Sequence, residues 1–225
     1  MNIGIIGGGV VGQSLGAGLV KLGHHVTIGI RAVTPAEMSK ERAQTTPLAD
    51  WVGATGGKVA TMAEAAASAE LVVLATHGPS AIAALTLVGA RNLAGKVVID
   101  ATNHLDFSQG MPPALLPEFS GHTSLGEQIQ AAFPQARVVK GFNTLGAGLI
   151  ANPELIKGDH DIFIAGNDAD SKQVVTDLAR SLGWQHVVDM GDIKAARATE
   201  TLVLVWLQLV VATGGTLHNL HLVRG

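Results

Sequence analysis

Gly7-Gly8-Gly9-Val10-Val11-Gly12 is a G-x-G-x-x-G run. It follows the apolar residues 2–6 and precedes Val11, Leu15, Leu19 and Leu22 at helical spacing. In that setting the spacing has one specific chemistry, the binding of a pyrophosphate. Gly7 permits the tight turn, Gly9 lets a phosphate approach the backbone, and Gly12 lets helix pack close to strand. Val10 and Val11 open the helix, whose free N–H groups and positive dipole end favour an anion.

The next chemical residue stands at the end of the following β-branched run, "HHVTIGI". A dinucleotide site that prefers NAD places an acid about 20 residues after the glycines, to bind the adenosine ribose hydroxyls. Here the run ends in Gly29-Ile30-Arg31, and the first acid is Glu37. A guanidinium offers a fork of donors to phosphate oxygens and a plane that stacks on adenine. The expected cofactor is therefore NADP(H). Thr34, Lys40 and Arg42 are further candidates for the phosphate.

Three later apolar runs end in short polar groups: Thr76-His77, Thr102-Asn103 and Asn143-Thr144. In open α/β sheets ligands lie outside the carboxyl ends of the strands, so nicotinamide and substrate are expected to meet there. Asn103 and Asn143 suit a ribose or a carboxamide, and Thr76, His77 and Pro79 suit a wall beside the nicotinamide. No catalytic residue is assigned. The carboxylates show no spacing of an acid/base pair, and there is no G-x-S-x-G elbow or G-x-x-x-x-G-K-[ST] loop. That fits hydride transfer between two rings, where the protein mainly positions them. His218-x-x-His221 has helical metal-ligand spacing but no third ligand nearby, so no metal is expected.

The elements that must hold these residues alternate. Strands are expected at 2–6, 24–30, 70–76, 96–102, 136–142, 160–166 and 185–190, with helices between them at roughly 79–89, 125–133 and 171–183. A helical pattern runs from Lys194 to about Ala212. The alternation predicts a Rossmann-type, doubly wound α/β fold with a mostly parallel sheet and a short helical C-terminal part. Residues 1–145 are expected to be the NAD(P)-binding domain. Residues 146–225 are expected to complete the sheet and cover the acceptor cleft. The composition agrees: of 225 residues, 47% are hydrophobic, 15% charged and only 4% aromatic, so the core is aliphatic.

A net charge of −3 gives no general field for nucleic acid. With no cysteine, thiolate chemistry and disulfides are excluded. The N-terminus lacks a signal-peptide pattern, and a cytoplasmic location is expected. The most apolar stretch, 202–212, is shorter than the roughly 18–20 residues of a membrane span. It is expected to be a buried helix or a subunit interface.

The sequence resembles the coenzyme F-420-dependent NADP oxidoreductases, a family that shares its cofactor fold with the oxidoreductase domain of the STEAP metalloreductases. The likeness runs from "IGIIGGGVVGQSLGAGLVKLGHHVTIGIR" through "VVLATHGP", "VVIDATN" and "VVKGFNTLGAGLIANP" to "DIFIAGNDADSKQVVTDLARSLGWQHVVDMGDIKAARATE". The resemblance implies an enzyme that moves hydride between NADP(H) and a small-molecule acceptor, either coenzyme F-420 (a deazaflavin), a flavin or a similar planar ring. It implies that Gly7, Gly9 and Gly12 meet the pyrophosphate, that Arg31 meets the adenosine phosphate, and that the chain is a homodimer. Ile30 stands where the family often has Ser, and Pro35 and Ala36 where some members have Lys, so a weaker NADP preference is implied. Two other functions fit the same residues: an NADP(H)-binding sensor or scaffold without turnover, and a reductase of small imines or carbonyls.

Overall fold

β-Branched and aliphatic runs of four to six residues set the frame, because both faces of each run are apolar and only a doubly covered sheet buries both. The computed structural model describes residues 1–119 and 122–223. From the N-terminus come β1 (Asn2–Ile6), α1 (Val10–Lys21), β2 (His25–Ile30), α2 (Pro35–Ser39) and α3 (Leu48–Thr55). Next are β3 (Lys58–Thr61), α4 (Met62–Ala67), β4 (Leu71–Leu74), α5 (Ala81–Val88), α6 (Ala90–Leu93) and β5 (Val97–Asp100). A two-residue pair, β6 (Leu105–Asp106) and β7 (Ala114–Leu115), precedes α7 (Leu125–Ala132) and β8 (Arg137–Lys140). The chain continues with α8 (Ala147–Ile150), β9 (Asp161–Gly166), α9 (Ala169–Ser181), β10 (His186–Asp189) and α10 (Ala196–Thr213).

Eight strands form one sheet in the order β10-β9-β8-β5-β4-β1-β2-β3. All pairings in it are parallel except β8 with β9. Successive strand residues face opposite layers. Ile3, Ile5, Val73, Ile99 and Val139 pack against α1, α3, α8 and α9. Ile6, Val72, Leu74, Val98 and Val138 pack against α4, α5, α6 and α7. The chain leaves β1 toward β2 and β3, then returns to β4 on the other side of β1. That reversal is a switch point, and it opens a crevice at the carboxyl ends of β1 and β4.

The helical C-terminal run forms where expected. With the turn before it, Ile193–Thr213 makes 21 residues, apolar and long enough by composition to cross a membrane. It is not buried on all sides. Ala196, Thr199, Glu200, Val203, Trp206 and Leu207 form the buried stripe, while Val205 is 50% exposed. Glu200, fully buried, fastens this helix to the sheet. Among the described residues beyond it no helix forms, so His218 and His221 are not one helical turn apart. His218 Nε2 meets the Trp206 carbonyl, and His221 Nδ1 meets Asp161. Among the described residues no three metal-ligating side chains cluster.

Glu200 ends in a buried charge network. Lys140 Nζ lies 2.9 Å from Asp100 Oδ2 and 2.7 Å from Glu200 Oε1. Asp100 also accepts from the hydroxyl and the N–H of Thr102, and Glu200 from the N–H groups of Leu125 and Gly126. His104 Nδ1 contacts Glu200 Oε2. Burial alone would lower the Lys140 pKa, but the two carboxylates outweigh it and hold the ammonium above its ordinary range. Burial alone would raise Glu200, but Lys140, His104 and the Leu125 N–H pull it down to about 2. A carboxyl group held lower when folded adds stability above its unfolded range. That stability fades as pH falls from 4.5 toward about 2. Glu200→Gln should cost about 3 kcal/mol in urea unfolding at pH 7, because Lys140 loses a buried partner. The variant should also lose less stability than the parent between those two pH values. Equal unfolding midpoints at neutral pH would show that the network is neutral.

Candidate functional site

The glycine turn closes the crevice at its centre. Gly7 has φ +122°, in the region that side chains rarely adopt, and a Cβ there would lie 2.4 Å from the Ala75 carbonyl oxygen. A Cβ on Gly12 would lie 2.1 Å from the Gly7 carbonyl oxygen, so α1 packs directly on the turn. Gly9 differs: nothing stands within 4 Å of its would-be Cβ. Gly9 is also the N-cap of α1, with no side chain bonded to the helix end. The first N–H groups of the helix, at Val10, Val11 and Gly12, therefore have no capping side chain.

Two hollows that share Gly7, Gly8 and Arg31 in their walls flank this turn. One, of about 370 Å³, is walled by Gly7, Gly8, Ile30, Arg31, Glu37, Lys40 and Arg42. The other, of about 410 Å³, is walled by Gly7, Gly8, Gly9, Arg31, Thr76, His77 and Ser80. Arg31 borders both. It is exposed and makes no hydrogen bond or ion pair among the described residues. Arg42 is engaged: it donates to the Glu37 carboxylate at 2.9 Å and to the carbonyls of Glu37 and Lys40. Larger hollows of about 550 and 540 Å³ lie against the first residues of β2 and the last turn of α1, away from every strand's carboxyl end.

The remaining residues singled out by the sequence follow neighbouring strands. Arg31 follows β2, Gly7 β1, Thr76 β4, Asn103 β5 and Asn143 β8, which are five adjacent strands. At about 4.8 Å per strand the row spans about 19 Å. Asn103 Nδ2 donates to the Asn143 carbonyl at 2.8 Å, and Asn143 Nδ2 donates to Asn103 Oδ1 at 2.9 Å. The β4–α5 turn packs on the same place, since a Cβ on Gly78 would lie 1.9 Å from the Asn103 carbonyl oxygen. Two buried polar atoms there have no protein partner: Thr76 Oγ1 and Asn143 Oδ1. A buried polar group left unpaired is costly, which marks both as groups poised for a ligand. His77 and Pro79 are exposed at the rim, and the His77 ring lies 6.4 Å from that of Phe107. Phe142, just before Asn143, holds φ +60° while fully packed, a strained conformation for a bulky residue.

The sequence reading missed what fixes this row. Asp100 and Lys140 are register partners on β5 and β8, each three residues before Asn103 and Asn143 respectively. Their ion pair locks the two strand ends together. A charge closing an otherwise apolar buried strand was the available signal, because such a charge must find a partner. Nothing local marks Glu200, 60 residues further on. The carboxylates that showed no pairing along the chain thus do converge, on Lys140 rather than on each other.

Comparison with known proteins agrees with this geometry. The family model described as NADP oxidoreductase, coenzyme F420-dependent, matches residues 2–104. The metalloreductase STEAP3 of Rattus norvegicus is 29% identical over 90% of this chain and 36% of its own length, so the chain spans about a third of that relative. The F420-dependent NADP reductase of Methanocaldococcus jannaschii is 27% identical over 96% of both chains. A crystal structure from Arthrobacter sp. FB24, a provisionally assigned F420-dependent NADP-reductase, is 46% identical with a TM-score of 0.91 over the whole of both chains. This chain belongs to the coenzyme F420-dependent NADP oxidoreductase family and has a Rossmann-type α/β fold.

Proposed function

We propose that the chain binds NADP(H) along the row of strand ends and passes hydride between it and a planar deazaflavin or flavin acceptor. The observation that carries this is Arg31, an unpaired guanidinium where an acid would read a bare ribose, in the same groove as the glycine turn. Gly7 makes the tight turn, Gly9 leaves room for the pyrophosphate, and the start of α1 at Val10, Val11 and Gly12 donates to it. Thr76 Oγ1 and Asn143 Oδ1 take the polar edge of the nicotinamide half, with Asn103 holding Asn143 in place. When bound, the nicotinamide supplies or accepts the hydride. The side chains orient rings, and none is needed as an acid or base.

The acceptor side lies beyond His77. Phe107, whose ring lies beside that of His77, is 45% exposed and gives a planar ring an apolar surface to lie on. The length match with the Methanocaldococcus reductase supports a deazaflavin over the ferric substrates of metalloreductases. Residues 146–225 close this end, since the Thr216 carbonyl and the Trp206 ring crowd Gly146, three residues from Asn143. The exposed face of α10, with Val205 and Val211, is covered by a second copy of the chain.

Three measurements test this reading. Arg31→Ala should weaken NADPH binding roughly tenfold to a hundredfold, the loss of a charge-assisted hydrogen bond, and should barely change NADH. Unchanged NADPH affinity would exclude Arg31 as the phosphate reader. NADPH absorbance should fall fastest with a deazaflavin when FMN, FAD, ferric chelate and a cyclic imine are compared. No oxidation with any of them would favour a sensor, and oxidation by the imine alone a small-substrate reductase. Light scattering should give twice the chain mass, and a single-chain mass would remove the dimer.

A further inference from the structure

Glu37 is the one carboxylate in the wall of the Arg31 hollow. Three cations share that wall, and they are not equivalent. Arg42 Nη2 donates to the Glu37 carboxylate at 2.9 Å and to its carbonyl at 3.1 Å, while Nη1 donates to the Lys40 carbonyl. Lys40 Nζ lies 3.5 Å from Glu37 Oε1. Arg31 alone is unengaged among the described residues. The backbone of Glu37 is fixed, because Pro35 opens α2 and the Thr34 hydroxyl accepts from the Glu37 N–H. Its side chain is 41% exposed and has room to turn.

We propose that Glu37 is a charge counterweight that sets how strongly the site prefers NADPH over NADH. The inference rests on the NADP(H) reading above. A 2′-phosphate brings roughly two negative charges into the hollow. Arg31 attracts it, Glu37 repels it, and Lys40 and Arg42 become available only if the Glu37 pairs break. An unphosphorylated ribose meets none of these penalties. Glu37 therefore weakens NADPH binding and leaves NADH nearly untouched, so the preference is narrower than the local count of cations implies.

Replacing Glu37 with Gln keeps the shape and an acceptor oxygen and removes the charge. Dissociation constants for NADPH and NADH are to be measured by calorimetry at low and high salt on the parent, Glu37→Gln and Glu37→Asp. Because Glu37 is partly solvated, Glu37→Gln should tighten NADPH by roughly fivefold and change NADH by less than about twofold. Glu37→Asp should stay near the parent, and the gain should shrink at high salt. Two results would overturn the proposal: both dinucleotides shifting by the same factor, which is a structural effect, or a wider ratio arising from lost NADH binding, which makes Glu37 a ribose acceptor. A parent protein that binds no NADPH sinks the cofactor reading as well. NADPH binding with an unaltered ratio in the variant sinks the counterweight alone.

Discussion

Lys140 is an ammonium with no access to water at the carboxyl edge of the sheet. Burying such a charge is unfavourable by several kcal/mol unless the surroundings replace its hydration shell. Three groups do so here: Asp100 from β5, Glu200 from α10 and the carbonyl of Thr102. The site depends on this arrangement because each partner lies on a different part of the chain. Asp100 and Lys140 hold two strand ends in register, and Glu200 draws the last helix down onto them. Glu200 also caps α7 through Leu125 and Gly126, so the same carboxylate orders a third element. An apolar trio of similar volume would serve stability as well, or better. What it would not do is specify a unique geometry for the loops that follow, which carry Asn103 and Asn143.

Those loops are held to a tolerance that the polar chemistry requires. Asn103 and Asn143 satisfy each other through two hydrogen bonds and leave one carbonyl oxygen unpaired. Phe142 is kept at positive φ beside them, a strain that persists only because its ring is fully packed. Residues at such places are rigid before any ligand arrives, and rigidity lowers the entropy lost when a ring is positioned. The rim is built differently. His77, Pro79 and Phe107 are exposed. The two ends of the groove thus differ in charge and solvation: a cationic, solvated end around Arg31 and a neutral, hydrogen-bonded end around Asn143.

The frame of this fold was legible because it rests on local pattern. Each expected strand formed, and the G-x-G-x-x-G turn stands where a strand meets a helix. Arg31, Thr76, Asn103 and Asn143 were legible as site candidates because a strand end in an open parallel sheet is a location fixed by topology. Smaller elements escaped. β3 and α4, at "KVATMAEAAA", have little apolar contrast, yet Thr61 and Glu64 form a capping box that was readable in the sequence. For the C-terminal apolar run, a buried helix and a subunit interface are both expected from sequence; α10 buries one stripe and exposes Val205 and Val211. Periodicity within an apolar run is flat, so it does not say which side faces the sheet.

The Lys140 network was illegible for a different reason. Its members are 40 and 60 residues apart, and only the pairing of β5 with β8 makes Asp100 and Lys140 neighbours. Sequence spacing reveals chemistry when one element carries all the groups, as the glycine turn does. It fails when tertiary pairing assembles them. The same division separates the two halves of the proposed function. The nucleotide half is written in one βαβ unit and is readable from residues 2–42. The acceptor half is assembled from β4, β5, β8 and the C-terminal segment, so its selectivity resides in how those parts meet. Under the proposed function, acceptor choice then rests on the packing of α10 and residues 105–115, apart from the glycine turn and Arg31.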